Sequence, residues 1–247
     1  MKMRRRRLFL GGVLAMMLSA TACIVTNDRT TGETRTESKT VPLGGAKSVR
    51  VEIEMGAGEL KVAGGASDLL NAEFTYNVAR WKPEVRYDTS GGEGRLTIQQ
   101  PSGSHTHLGT THYAWDLRLS DKVPMEMSVE QGAGRANLHL AGLALTKLDV
   151  SLGAGETNID LDGNWKHDLT ASIRGGVGKT TLYLPRDVGV RVTASGGLGA
   201  VHASEFSKDG DAYVNEAYGK SPVTLRIDVE GGVGEIDLEL GGGSGTV

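Results

Sequence analysis

The tripeptide Gly-x-Gly occurs six times in this chain with the same alternation of apolar and polar residues on both sides. The four central copies begin at intervals of 21, 23 and 21 residues. A near-constant interval of this size is typical of proteins built from stacked structural repeats. The copies are Gly56-Ala57-Gly58, Gly132-Ala133-Gly134, Gly153-Ala154-Gly155, Gly176-Val177-Gly178, Gly197-Leu198-Gly199 and Gly232-Val233-Gly234.

The residues around each tripeptide alternate with a period of two. In the copy at residue 153, Leu148 and Val150 precede the glycines, and Thr157 and Ile159 follow them. A period of two predicts a half-buried β-strand on each side of the tripeptide. The glycines would lie where the chain turns a corner, because glycine adopts positive φ without a Cβ clash.

Two all-β architectures fit this pattern: a β-solenoid, in which each repeat stacks on the preceding one, and a sandwich of hairpins. The near-constant repeat length favours the solenoid, because hairpin loops have no reason to keep register from copy to copy. We therefore predict a single-stranded β-solenoid with about 21 to 23 residues per coil and Gly-x-Gly corners.

Polar residues between the apolar positions form rows across the repeats. Directly after the corner, three successive copies carry Arg135, Glu156 and Lys179, which alternate in charge. Stacked coils would bring these side chains together. Such a row is either a solvated strand face or a flat recognition face.

The first 22 residues have the pattern of a secretory signal, with a basic start, an apolar stretch and small residues before Cys23. Cys23 is the only cysteine, so an intramolecular disulfide is not possible. Its position resembles the lipidated cysteine of a bacterial lipoprotein, which would anchor the exported protein to a membrane facing the periplasm or the cell exterior. The alternative is a secreted protein with a free thiol, and either Sec or twin-arginine export fits the signal. Residues 23–46 would form a flexible, polar tether.

Charge excludes nucleic acid as a partner. Removal of the signal takes away five basic residues, which leaves 22 basic and 30 acidic residues and a net charge of −8. A protein that binds a phosphate backbone needs a basic surface instead.

The segment after the tether, residues 47–100, resembles a known family. It contains VEIEMGAGEL at residues 51–60, LLNAEFTYN at 69–77, PEVRY at 83–87 and GRLTI at 94–98. These pieces, in this order, are similar to the toast-rack domain of bacterial envelope proteins, which is related to LiaF-type and adhesin-like domains. The resemblance implies a right-handed β-solenoid outside the cytoplasm, without assigned catalytic residues.

After a loop and linker at residues 101–123, the repeats occupy residues 124–247. They include the sequence RGGVGKTT at 174–181, which imitates a phosphate-binding loop with Gly176, Gly178, Lys179 and Thr180. Such a loop needs a helix directly after it, whereas Leu182-Tyr183-Leu184-Pro185 continues a strand. We therefore predict no nucleotide binding and no cofactor.

Three histidines in the loop, His105, His107 and His112, lie within eight residues of one another. Neighbouring imidazoles can share a transition metal, so this loop is either a metal site or an ordinary solvated loop.

The interval before the last repeat is longer because of an insertion near residues 203–221. It carries Phe206, Tyr213 and Tyr218. Aromatic residues here would either cover the end of the solenoid or contact a partner.

Together these features predict a non-enzymatic, lipid-anchored envelope protein. It would act as a scaffold, an adhesin-like contact surface or an accessory stress sensor, through protein or glycan contacts. The alternative is a lyase or hydrolase acting on polysaccharide or cell wall, a class that parallel β-helices often host.

Overall fold

The computed structural model describes residues 32–101 and 111–241. Within these ranges the protein is almost entirely β-sheet, with one short 3₁₀ helix at Ala79–Trp81. The strands are β1 Arg35–Val41, β2 Ser48–Ala63, β3 Leu70–Tyr76, β4 Glu84–Ser90, β5 Glu93–Gln99, β6 Tyr113–Leu119, β7 Met125–His139, β8 Leu145–Asp160, β9 Leu169–Leu184, β10 Gly189–His202, β11 Ser207–Asp209, β12 Ala212–Val214 and β13 Thr224–Leu240.

Six long strands form the solenoid: β2, β7, β8, β9, β13 and β10. Each runs through its Gly-x-Gly tripeptide and pairs in parallel with the next strand, so that the tripeptides lie side by side. The predicted β-solenoid is thus confirmed. We call the residues of a long strand before its tripeptide the first arm and those after it the second arm.

The side that faces the core changes at each tripeptide. In β7, Met127 and Val129 are buried before the glycines, and Ala136 and Leu138 are buried after them. Buried residues at positions 129 and 136 are an odd number apart, so strict alternation is broken between them. The tripeptide is therefore the corner that lets both arms face one core.

The stacking order differs from the sequence order in one place. We expected each repeat to stack on the preceding one, which would put β10 next to β9. Instead β13 lies between them and pairs with both. The insertion explains this: it folds into the β11–β12 hairpin, and β12 pairs with residues 191–193 on the outer edge of β10.

The opposite end of the solenoid is more fully covered. The first arm of β2 pairs with β5, which pairs with β4, and its second arm pairs with β6, followed by β3 and β1. Two predictions about this part were wrong. The predicted tether contains β1, because pairing with the backbone of β3 orders this segment although its side chains are mostly polar. The predicted linker contains β6, whose alternate residues are buried in the core.

The core lies between the two arms and is filled by small and medium aliphatic side chains. Val51, Leu148 and Leu182 are completely buried, as the alternation predicts. In β10, the outermost long strand, Ala194 and Val201 are only partly buried because no further coil covers them, and the same is true of Ala203 directly after the strand. No helix in the described parts of the chain is both long and apolar enough to cross a membrane.

Candidate contact surface

The outer corners form one apolar line along the solenoid. The central residue of every tripeptide is exposed, and in spatial order these residues are Ala57, Ala133, Ala154, Val177, Val233 and Leu198. The side chains on this line become larger towards the β10 end, where Val177, Val233 and Leu198 are 58%, 48% and 73% exposed.

Glycine is required on both sides of this line because the backbones approach closely. A Cβ on Gly153 would overlap the carbonyl oxygen of Gly132, and one on Gly155 would overlap that of Gly134. Gly155 also has φ of +140°, a conformation that residues with side chains rarely adopt.

Beside this line, the second arms carry a row of alternating charges. In spatial order the row reads Glu59, Arg135, Glu156, Lys179 and Glu235. The Arg135 guanidinium lies 3.3 Å from the carboxylate of Glu59 and 3.4 Å from that of Glu156. The displaced position of β13 extends the alternation, because it puts Glu235 rather than Ala200 beside Lys179.

Lys179 belongs to this row and not to a phosphate-binding loop. Its Nζ lies 2.6 Å from Oδ2 of Asp237, and this hydrogen bond raises the pKa of the lysine. The adjacent Thr180 is buried, and Gly176, Gly178 and Lys179 all lie within strand β9. The corner thus has the sequence of a phosphate-binding motif, but a strand follows it where that motif requires a helix.

A groove crosses the row near its β2 end. It has a volume of about 660 Å³ and is lined by Glu59, Trp81, Tyr113, Arg135 and Glu156 among others. The Tyr113 hydroxyl donates a hydrogen bond of 2.7 Å to the backbone oxygen of Trp81, and the two rings meet edge to face at 5.5 Å. Burial raises the pKa of Tyr113, so this residue is a neutral donor near pH 7.

Sequence reasoning did not single out the aromatic side of this groove. Trp81 lies in the short 3₁₀ helix and Tyr113 begins β6, so the two residues are 32 positions apart. No local pattern links them, and only the pairing of β6 with β2 brings them to the charged row.

Of the three histidines proposed to bind metal, only His112 lies within the described residues. It also lines the groove, and its backbone N–H donates to Oδ1 of Asn77 at 3.0 Å. His105 and His107 lie outside the described residues. Residues 32–101 and 111–241 contain no group of three or more acidic, histidine or cysteine residues placed to hold a metal ion.

The hairpin of the insertion covers only the part of the solenoid end formed by the first arm of β10. Phe206 and Tyr213 pack against the edge of the core, and the ammonium of Lys208 lies 3.6 Å from the centre of the Tyr213 ring. Tyr218 lies in the following turn, where its backbone N–H donates to the oxygen of Asn215. The structure thus gives Phe206 and Tyr213 a packing role.

The hollow behind the corners is small. It measures about 150 Å³, and half of its lining residues are glycine; the others include Leu152, Thr157, Thr180 and Ile236. Small-molecule sites usually measure about 300 to 1,000 Å³. The described surface therefore offers open grooves and rows of exposed side chains more than an enclosed pocket.

Solenoid proteins commonly use extended surfaces of this kind for binding. Two family models match this chain. The family described as the N-terminal domain of toast_rack, DUF2154, matches residues 30–183, and the C-terminal domain of LiaF, named for the response to cell wall-active antibiotics, matches residues 132–238. The chain belongs to the toast-rack family, as the resemblance predicted.

One solved structure shares this fold over most of the chain. A protein from Clostridium sporogenes ATCC 15579, named for cell adhesion, is 32% identical and superposes with a TM-score of 0.82 over 85% of this chain and 100% of its own. A protein from Bacteroides fragilis NCTC 9343, named as an adhesin, is 10% identical over 83% of this chain and 97% of its own, with a TM-score of 0.34. No curated protein matches the chain.

Proposed function

We propose that this protein is a lipid-anchored protein of the cell envelope that acts by surface contact with a glycan or a protein, and not by catalysis. The observation that carries this proposal is the groove in which Trp81 and Tyr113 lie beside the Glu59–Arg135–Glu156 row. Membership in the toast-rack family and the similarity to a protein named for cell adhesion support the same kind of role.

The chemistry of the groove suits a polar polymer. An aromatic ring offers an apolar face to a sugar or a peptide, and the neighbouring charges supply both donors and acceptors for hydrogen bonds. The volume of about 660 Å³ is large enough for a few residues of such a polymer.

The same groove is less suited to glycoside cleavage. A glycosidase needs one carboxylic acid that holds a proton, commonly in a desolvated site. The side chains of Glu59 and Glu156 are 55% and 50% exposed, and one guanidinium bridges both. We therefore favour binding over the lyase or hydrolase alternative.

Sedimentation with purified peptidoglycan and other envelope polysaccharides tests the proposal. We expect binding that weakens at least about tenfold in Trp81→Ala and Arg135→Ala, each of which removes one side of the groove. Arg174→Ala is the matched control, because Arg174 is an exposed arginine on the first arm of β9, away from the groove. Equal binding by all four proteins would reject the groove, and release of soluble sugar would support the enzyme.

The lipid anchor has a separate test. Cys23, which lies outside the described residues, should incorporate labelled palmitate in cells and hold the protein in the membrane fraction. Cys23→Ser should abolish both. Labelling that persists in Cys23→Ser, or release of the wild-type protein in soluble form, would contradict the anchor without affecting the groove.

A further inference from the structure

The two ends of the solenoid differ in how the second arm is covered. At one end, β6 pairs with residues 59–63 of β2. At the other end, β12 pairs only with residues 191–193 of β10, in its first arm. Within the described parts of the chain, the corner and second arm of β10 have no strand on their outer side.

This open edge lacks the features that usually protect an edge strand. Natural sheets blunt such edges with charged residues, especially lysine, or with proline. Before the corner, β10 has Ser195 at the position that Arg174 and Glu230 occupy in the two neighbouring coils. After the corner, it has Ala200 at the position of Lys179 and Glu235. Leu198, the most exposed large apolar residue of the described chain, lies in the middle of this uncharged edge.

The glycine contacts define what can pair there. A Cβ on Gly178 would overlap the oxygen of Gly155, one on Gly234 would overlap that of Gly178, and one on Gly199 would overlap that of Gly234. Each corner therefore presents a carbonyl oxygen to the next coil at a place where only glycine fits. By the same relationship, a parallel strand added to the edge of β10 would need glycines beside Gly197 and Gly199.

Residues 243–247 have the same spacing of glycines. Gly243-Ser244-Gly245 is followed by Thr246 and Val247, as Gly197-Leu198-Gly199 is followed by Ala200 and Val201. This segment lies outside the described residues.

A strand in the same molecule cannot supply this segment to the open edge. Leu240 lies eight residues beyond the Gly232 corner, a distance of about 26 Å along a strand. From Gly241, two further residues reach at most about 7 Å before Gly243. The donor must therefore be another molecule.

We propose that residues 243–247 of one copy add as a parallel strand to the corner and second arm of β10 in a second copy. Ser244 would extend the exposed corner line beyond Leu198, and Val247 would cover Val201, which is only partly buried. The protein would thus associate with itself through its open end, independently of the contact groove near β2.

Analytical ultracentrifugation of the full chain carrying Cys23→Ser, over a range of concentrations, measures this association. We expect a concentration-dependent dimer or larger species, with Gly245→Ala weakening association at least about tenfold because the added Cβ meets the oxygen of Gly199. Ser244→Ala is the matched control and should associate like the parent chain, because the central corner position tolerates any small side chain. A monomer at all concentrations, or unchanged association of Gly245→Ala, would overturn the proposal.

The acceptor edge has its own test with a labelled peptide of sequence GGGSGTV. It should bind the parent chain, and Leu198→Lys should abolish binding without changing the melting temperature. Ala57→Lys introduces the same charge at the equivalent corner of the covered end and should leave binding intact. Peptide binding that survives Leu198→Lys, or is lost in Ala57→Lys, would place the contact elsewhere.

Discussion

Lys179 of β9 forms an ion pair of 2.6 Å with Asp237 of β13, a residue 58 positions later in the chain. The next Gly-x-Gly copy in the sequence, that of β10, would otherwise lie beside Lys179. The ion pair is one of several contacts that follow from the placement of β13 between β9 and β10. The same placement completes a charge row that the sequence order would leave interrupted by Ala200.

Paired cysteines can test this strand order. In a Cys23→Ser background, Ser172→Cys with Asp228→Cys should form a disulfide readily on oxidation, because these residues are direct neighbours on adjacent strands. Ser172→Cys with Thr193→Cys should not, since β13 separates them by two strand spacings, or about 9.6 Å. Nonreducing electrophoresis after proteolysis between the two cysteines distinguishes the pairs. The opposite result would restore the sequential order.

The corner glycines should be among the least tolerant positions in the chain. Gly155→Ala combines a positive φ with overlap of the Gly134 oxygen, so we expect it to lower the free energy of unfolding by about 3 kcal/mol or more. Urea unfolding followed by circular dichroism measures the change. Ala154→Val is the control and should be nearly neutral, because its exposed neighbour on β9 is already Val177.

We expect the side chain of Asn215 to stabilise the start of β10 through several buried hydrogen bonds. Its Nδ2 donates to the oxygens of Val188 and Pro185 at 2.7 and 3.1 Å, and its Oδ1 accepts from the N–H of Val190 at 2.9 Å. Asn215→Ala leaves these buried groups unpaired and should cost about 3 kcal/mol in urea unfolding. The exposed Asn164→Ala serves as the control, and an equally small effect of both substitutions would contradict this role.

Stability should fall at strongly alkaline pH. Burial, aided by the hydrogen bond to Glu37, raises the pKa of Tyr76 to about 12. A raised pKa in the folded state means that the folded protein keeps a proton that the unfolded chain releases at about pH 10. The contribution is therefore complete below about pH 10 and is lost as the pH rises towards about 12.

Unfolding measured between about pH 8 and about pH 12 checks this prediction, together with absorbance of the tyrosinate ion. Tyr76→Phe should remove part of the pH dependence while retaining the apolar contacts of the ring. If the parent protein and Tyr76→Phe lost stability in parallel over this range, the effect would have to arise elsewhere.

Charge rows should contribute little to stability despite their regularity. The pairs of Arg135 with Glu59 and Glu156 join side chains that are about half exposed, and water and salt screen such pairs. Arg135→Ala should change the free energy of unfolding by less than about 1 kcal/mol. A much larger loss of unfolding free energy would mean that the row holds the coils together. Weaker binding by Arg135→Ala could then result from lost stability and not from a lost contact.

The repeat and its alternation predicted the solenoid correctly because both depend on local chemistry. Glycine is needed wherever a backbone oxygen of the neighbouring coil occupies the Cβ position, so the spacing of Gly153 and Gly155 along the chain already marks a corner. The alternation of Leu148, Val150, Thr157 and Ile159 likewise reports which side of each arm faces the core.

Local sequence patterns did not predict which distant segments pair with each other. Residues 35–41 read as a polar tether, yet they form β1, because a strand beside β3 satisfies backbone hydrogen bonds whatever its side chains are. The groove was missed for the same reason, since Trp81 and Tyr113 reach the charged row only through the pairing of β6 with β2.

The sequence by itself thus determined the coil, its corners and the residues that face the core, since each depends on the steric needs of glycine and on a period of two. Only the tertiary structure decided the order of the last two coils, the covering of one end and the openness of the other. Parallel coils with the same corner can stack in either order, and the insertion settles the choice by pairing β12 with the outer edge of β10.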